Sequence, residues 1–181
     1  MRSEKTKRLI TYSLFGAIII VLQLIATSVN IGGFPITLTL IPIVIASALY
    51  GPKAGGIMGL IFGFIVVIIV VMGGDPNGQV MMSSNPVITT LLCLLKGYLA
   101  GLVSGICYAK ISNKKVAILI SSLAAPIVNT GVFEIGLILF FDMSFTIMIS
   151  AFISINFLIE LLINVLLSQG ILRIINNKRK R

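Results

Sequence analysis

Histidine and tryptophan are absent from this chain, cysteine occurs twice, and only 10% of its 181 residues are charged. Each shortage excludes something. Without histidine there are no imidazole metal ligands and no histidine acid–base chemistry. Cys93 and Cys107 fall in one apolar stretch without metal-like spacing and read as small core residues. A phosphate loop is missing too, because Gly51-Pro52-Lys53-Ala54-Gly55-Gly56 has neither the spacing nor the Lys-Ser/Thr ending. With no nucleophile motif and no metal cluster, the expectation is a protein that is not an enzyme and carries no cofactor. If it moves a solute uphill, the energy comes from elsewhere. The scarcity of charge matters most. A soluble domain carries roughly 25% Asp, Glu, Lys and Arg, too much to match this chain, whose hydrophobic share is 57% and mean hydropathy +1.13. Lipid is therefore the solvent for most of its surface.

What is present is a series of apolar runs. Spans are expected at about 9–28, 36–50, 54–72, 87–108, 116–140 and 145–169, making 1–181 a single all-α membrane domain of six transmembrane helices. At about 20 residues a span, six spans use roughly 120 positions and leave only short connections. The first run is longer than a signal-peptide core and is read as a retained span. The net charge of +9 does not point to nucleic acid, because the basic residues are placed as cytoplasmic loops place them. With both termini inside, thirteen of the fourteen lie inside: Arg2, Lys5, Lys7 and Arg8, then Lys53, Lys110, Lys114 and Lys115, then Arg173 and the tail Lys178 to Arg181. The expected outer loops hold only Asp75 and Asp142. This predicts a multi-pass protein with cytoplasmic termini.

Glycines recur every four residues at Gly55, Gly59 and Gly63 and again at Gly97, Gly101 and Gly105. Each set bares one helix face for close backbone approach, within the chain or against a partner. Lys96, Glu134 and Glu160 lie inside apolar spans, where a charge costs about 2.5–3.5 kcal/mol at the helix centre. From the helical rise, Lys96 is about 14 Å below the outer end of its span, Glu134 about 9 Å, Asn129 and Asn156 about 17 Å, and Glu160 about 22 Å. Asn156, Glu160 and Asn164 recur every four residues and share one stripe. These residues form either an outward-facing polar pocket or a salt-bridge and amide network that locks three spans together; Gln23 and Asn164 are weaker candidates. Proton coupling through Glu134 or Glu160, as in a stand-alone secondary transporter, and a structural or assembly role are the alternatives.

The stretches Ile36-Thr37-Leu38-Thr39-Leu40-Ile41-Pro42, Tyr50 to Gly63, Asn85-Pro86, Lys96-Gly97 with Ala100-Gly101-Leu102-Val103, Asn129-Thr130, and Asn156 with Glu160 follow one another in a recognisable order. In this order the chain resembles the substrate-binding (S) components of energy-coupling factor (ECF) transporters, the vitamin-uptake systems of many bacteria. The resemblance implies a six-helix bundle in the bacterial plasma membrane that binds its ligand from outside. Its first outer loop, with Gly32, Gly33, Phe34 and Pro35, would be the gate. Partners would be a transmembrane coupling subunit and two ATPases, the first helix docking through Ser13 and Ala17 where the family has an Ala-xxx-Ala surface. In the family the subunit is thought to topple in the bilayer to release ligand. Lys96, Asn129, Glu134, Asn156, Glu160 and Asn85 would bind substrate. Two departures fall in that pocket: many members carry Pro-Arg before the span-four glycine, where this chain has Leu92 to Lys96, and Glu134 stands where an aliphatic residue is expected. Lys96 would suit a carboxylate such as that of pantothenate, whereas Glu134 and Glu160 would instead suit an amine or hydroxyls. The absence of tryptophan disfavours a pocket that stacks a large planar ring, so pantothenate or another small polar vitamin is expected.

Overall fold

The computed structural model describes residues 4–28, 30–31, 34–35 and 38–179. It is all-α apart from one two-residue ribbon. Helix α1 (Glu4–Ser28) leads to β1 (Asn30–Ile31) and β2 (Phe34–Pro35), followed by α2 (Leu40–Tyr50), α3 (Pro52–Val71), α4 (Pro76–Ser84), α5 (Pro86–Lys110), α6 (Lys114–Phe141), α7 (Phe145–Ile153) and α8 (Ile155–Arg179). Among the described residues, five helices are long and apolar enough to cross a membrane: α1, α3, α5, α6 and α8.

The expected second span is shorter than predicted. α2 begins at Leu40 rather than Ile36 and has 11 residues, about 17 Å of helix against a hydrocarbon core of about 30 Å. Its place explains its composition. Every residue from Leu40 to Ser47 is buried, with α1, α3, α5, α6 and α8 all against it. A helix hydrophobic on all sides belongs in the interior. Ahead of it, β1 and β2 pair antiparallel, Asn30 with Pro35 and Ile31 with Phe34. At its end Gly51 takes φ 92°, open to glycine without steric cost, and Pro52 starts α3.

The glycine faces of α3 and α5 meet each other. A Cβ at Gly55 would run into the Gly101 carbonyl, one at Gly59 into that of Gly97, and one at Gly63 into that of Cys93. The two antiparallel helices thus touch backbone to backbone, as close packing in lipid favours where no hydrophobic drive exists.

Two stretches depart from the sequence expectation. The connection after α3 contains a helix, α4, which Asp75 caps by accepting from Gly78 N at 3.1 Å, with Pro76 in the first turn. The expected span 145–169 is not one helix but two, broken at Ser154. There the backbone leaves the helical region (φ −58°, ψ 143°). The Ser154 hydroxyl donates to Ala151 O at 2.7 Å and accepts from Phe157 N at 3.2 Å, so one side chain closes α7 and opens α8.

Candidate functional site

The polar residues of α5, α6 and α8 fall into two layers that differ in how well they are hydrogen-bonded. The lower layer is satisfied. Pro126, inside α6, has no N–H for the carbonyl of Ser122 four residues earlier. Asn164 of α8 supplies the missing donor, its Nδ2 lying 2.6 Å from Ser122 O. Ser168 donates to Asn164 Oδ1 at 3.4 Å. On the other side Ser104 of α5 donates to Ser121 O at 3.0 Å, and its hydroxyl lies 3.3 Å from that of Ser47 on α2. Four helices are therefore bolted at one level, and their buried polar groups answer one another.

Side-chain contacts fix the register above this floor. Leu92 of α5 packs on Gly136 of α6, Lys96 meets Phe133, and Phe152 of α7 lies 3.5 Å from a Cβ position at Gly131. With Asn164 at Ser122, the antiparallel α8 brings Asn156 level with Asn129 and Glu160 level with Pro126. Measured along α6 from Phe141, Glu134 is about 10 Å down, the Lys96 level about 13 Å, Asn129 about 18 Å and Glu160 about 22 Å.

This upper layer is poorly satisfied. Asn129 is 8% exposed, and its Oδ1 is buried without a hydrogen-bond partner. Leaving a buried acceptor unpaired costs about 1–3 kcal/mol, so an amide in this state is either an error of packing or half of an interaction with something else. Lys96, half-buried, holds its ammonium 4.2 Å above the centre of the Phe133 ring, a cation–π contact. Glu134, 9% exposed, is near enough for its charge and that of Lys96 to act on each other. Asn156 is half-buried in the first turn of α8, where a helix start adds partial positive charge. Glu160 is half-buried one turn further along that face and engages the protein. The floor is thus closed while the layer above holds an ammonium, two carboxyl groups and an unsatisfied amide.

Other candidates lie elsewhere. Asn85 does not join the cluster: its Oδ1 accepts from Ile88 N at 3.2 Å and caps α5, about 16 Å along the helix from Lys96. Gln23 is buried and accepts from Thr39 Oγ1 at 2.6 Å, tying α1 to the entry of α2 just after the ribbon. Gly32 and Gly33 lie outside the described residues; Phe34 and Pro35 form β2. Ser13 and Ala17 are exposed on α1, flanked by the exposed Leu14, Ile18 and Val21. Sequence reasoning missed Phe133 and the serine floor. Phe133 carries no signal of its own, whereas Pro126 within an apolar span was a visible sign that a carbonyl at Ser122 needed a donor from outside its helix.

Comparisons with known proteins agree with this architecture. Over 194 aligned residues the chain is 26% identical to the pantothenic acid transporter PanT of Lactococcus lactis subsp. cremoris, with 99% of this chain and 98% of the relative covered. Residues 7–176 match the family model described as ECF transporter, substrate-specific component, and the chain belongs to that family.

Proposed function

We propose that this chain captures pantothenate, or a similarly small carboxylate vitamin, from outside the cell as the substrate-specific subunit of an ATP-driven ECF importer. The observation that carries the reading is the unsatisfied Asn129 Oδ1, one helical turn below the Phe133 ring on which Lys96 rests and above a floor whose polar groups are occupied. Lys96 receives the carboxylate, Asn129 and Asn156 bond amide or hydroxyl groups, Glu160 faces the ligand's donors, and Glu134 lies against the ligand near Lys96. The six spans of the family correspond to α1, α2 as a short inner span, α3, α5, α6 and the α7–α8 pair, with both termini cytoplasmic, a placement that the distribution of Lys and Arg supports. The ribbon between α1 and α2, with Phe34 and Pro35, closes over the bound ligand. Asn85, spent on its helix cap, positions α5 and does not touch ligand. Ser13 and Ala17 meet the coupling subunit, and two partner ATPases supply the energy.

The test is thermal unfolding of the purified, detergent-solubilised chain with pantothenate against a panel of other vitamins. A ligand at a thousand times its Kd stabilises by about 4 kcal/mol. Stabilisation by pantothenate that disappears in Lys96→Ala and in Asn129→Ala supports the reading. Folded protein that no vitamin stabilises refutes it.

A further inference from the structure

Glu134 is a carboxylate in a site that already has to accept one. It is 9% exposed and makes no hydrogen bond or close ion pair with any described residue. The groups around it are few. α6 is bordered by α5, α8, α2 and α7. At its level α5 offers Lys96 and, one turn outward, Cys93, while α7 has no titratable side chain. α8 offers Glu160 about 12 Å deeper. On α2 only Tyr50 titrates, at the far end beyond Ser47, and Tyr98 of α5 turns toward α3 at Gly56. The single cation acting on Glu134 is therefore Lys96.

Before a ligand binds, an ionised Glu134 is offset by the Lys96 ammonium, which rests on the Phe133 ring. A ligand carboxylate at Lys96 changes the count to two negative groups against one positive. The start of α8 adds only about half a positive charge. A ligand filling the site also excludes water, which makes the repulsion between the two carboxylates several times stronger than in bulk solvent. A proton on Glu134 removes that repulsion and turns the carboxyl into a donor for a ligand oxygen.

We propose that Glu134 is a proton-binding site filled together with the ligand, so that each captured carboxylate enters the chain with one proton. This inference rests on the reading that Lys96 holds the ligand's carboxylate. It makes Glu134 a selectivity residue: a neutral analogue, in which an alcohol replaces the carboxylate, binds without proton uptake.

Isothermal titration calorimetry on the full-length, detergent-solubilised chain tests it, with pantothenate and its alcohol analogue as probes. Titrations in buffers of different ionisation enthalpy count protons directly in the wild type, so the result does not depend on a variant folding. About one proton is expected to be taken up per pantothenate and none per alcohol analogue. The bound state holds the extra proton, so affinity falls as pH rises, approaching tenfold per pH unit, about 1.4 kcal/mol, once the empty site is fully deprotonated. In Glu134→Gln, uncharged at every pH, proton uptake is absent and the affinity no longer changes with pH. Pantothenate binding to the wild type without proton uptake overturns the role of Glu134 and leaves vitamin capture standing. No pantothenate binding at any pH, by wild type or Glu134→Gln, overturns both.

Discussion

Asn164 hydrogen-bonds the carbonyl that Pro126 leaves without a helical partner: its Nδ2 lies 2.6 Å from Ser122 O, where an ordinary residue at 126 would have placed a backbone N–H. The pair stands 38 positions apart on different helices, yet each accounts for the other. Asn164→Ala leaves a buried acceptor unpaired and is expected to lower stability by about 1–3 kcal/mol. Pro126→Ala restores the N–H, so Asn164→Ala should cost much less in that background. Thermal unfolding of the four proteins gives the coupling directly. Strict additivity would show that Asn164 is not the partner of that carbonyl.

The contact of α3 with α5 makes a second prediction. A Cβ at Gly59 or Gly97 meets the carbonyl of the facing glycine, and backbone cannot move aside as a side chain can. Gly59→Ala and Gly97→Ala should each destabilise by about 1–3 kcal/mol or more, as overpacking does. At Gly170 nothing lies within 4 Å of the added atom, so Gly170→Ala should be neutral or slightly stabilising through helix propensity. Equal melting of Gly59→Ala and Gly170→Ala would contradict the close approach.

Some of this was legible in the chain itself. The apolar runs mark α1, α3, α5 and α6, because lipid forces each span to satisfy its backbone internally and to show carbon outside. Glycine every fourth residue marks a bare face, though not which helix lies against it. The break at Ser154 was hidden, since Ile153 and Ile155 are both apolar and exposed and a single serine is compatible with a continuous helix. α4 was missed although Asp75-Pro76 is a helix-start signal, because its polar composition reads as a loop. The site depended on register. Lys96, Asn129 and Glu134 are visible as charges and amides in lipid-length runs, but only tertiary packing sets Lys96 on Phe133 and separates the bonded Asn164 from the unbonded Asn129.

That separation sets the proposed binding residue apart from the structural one. Among the described residues none bonds Asn129 Oδ1, so replacing Asn129 with an apolar residue of similar size removes an unsatisfied group rather than a bond. Asn129→Leu is expected to leave the empty protein as stable as the wild type, or more so, while pantothenate binding weakens by about tenfold to a hundredfold, the loss of about 1.5–3 kcal/mol of polar contact. Unfolding temperature without ligand and calorimetric affinity measure the two halves. A drop in stability like that of Asn164→Ala would place Asn129 in the structural network.

The face of α1 allows a test that separates capture from transport. Ser13 and Ala17 are exposed among large apolar side chains, and the Ser13 hydroxyl is turned back to its own helix, bonding Leu9 O at 3.0 Å. The face therefore presents a shallow strip with no polar group projecting from it, a shape that lets another helix approach closely in lipid. Both residues lie on the outside of the bundle, away from Lys96 and Asn129, so filling the strip should not disturb the ligand site. Ala17→Trp is expected to bind pantothenate with wild-type affinity in detergent, yet to lose uptake in cells that carry the coupling subunit and its ATPases. Binding by calorimetry and uptake of labelled pantothenate give the two readings. If Ala17→Trp takes up the vitamin at the wild-type rate, the coupling subunit docks elsewhere on the bundle. Loss of both binding and uptake would mean instead that α1 shapes the ligand site, through the Gln23–Thr39 bond that joins it to α2.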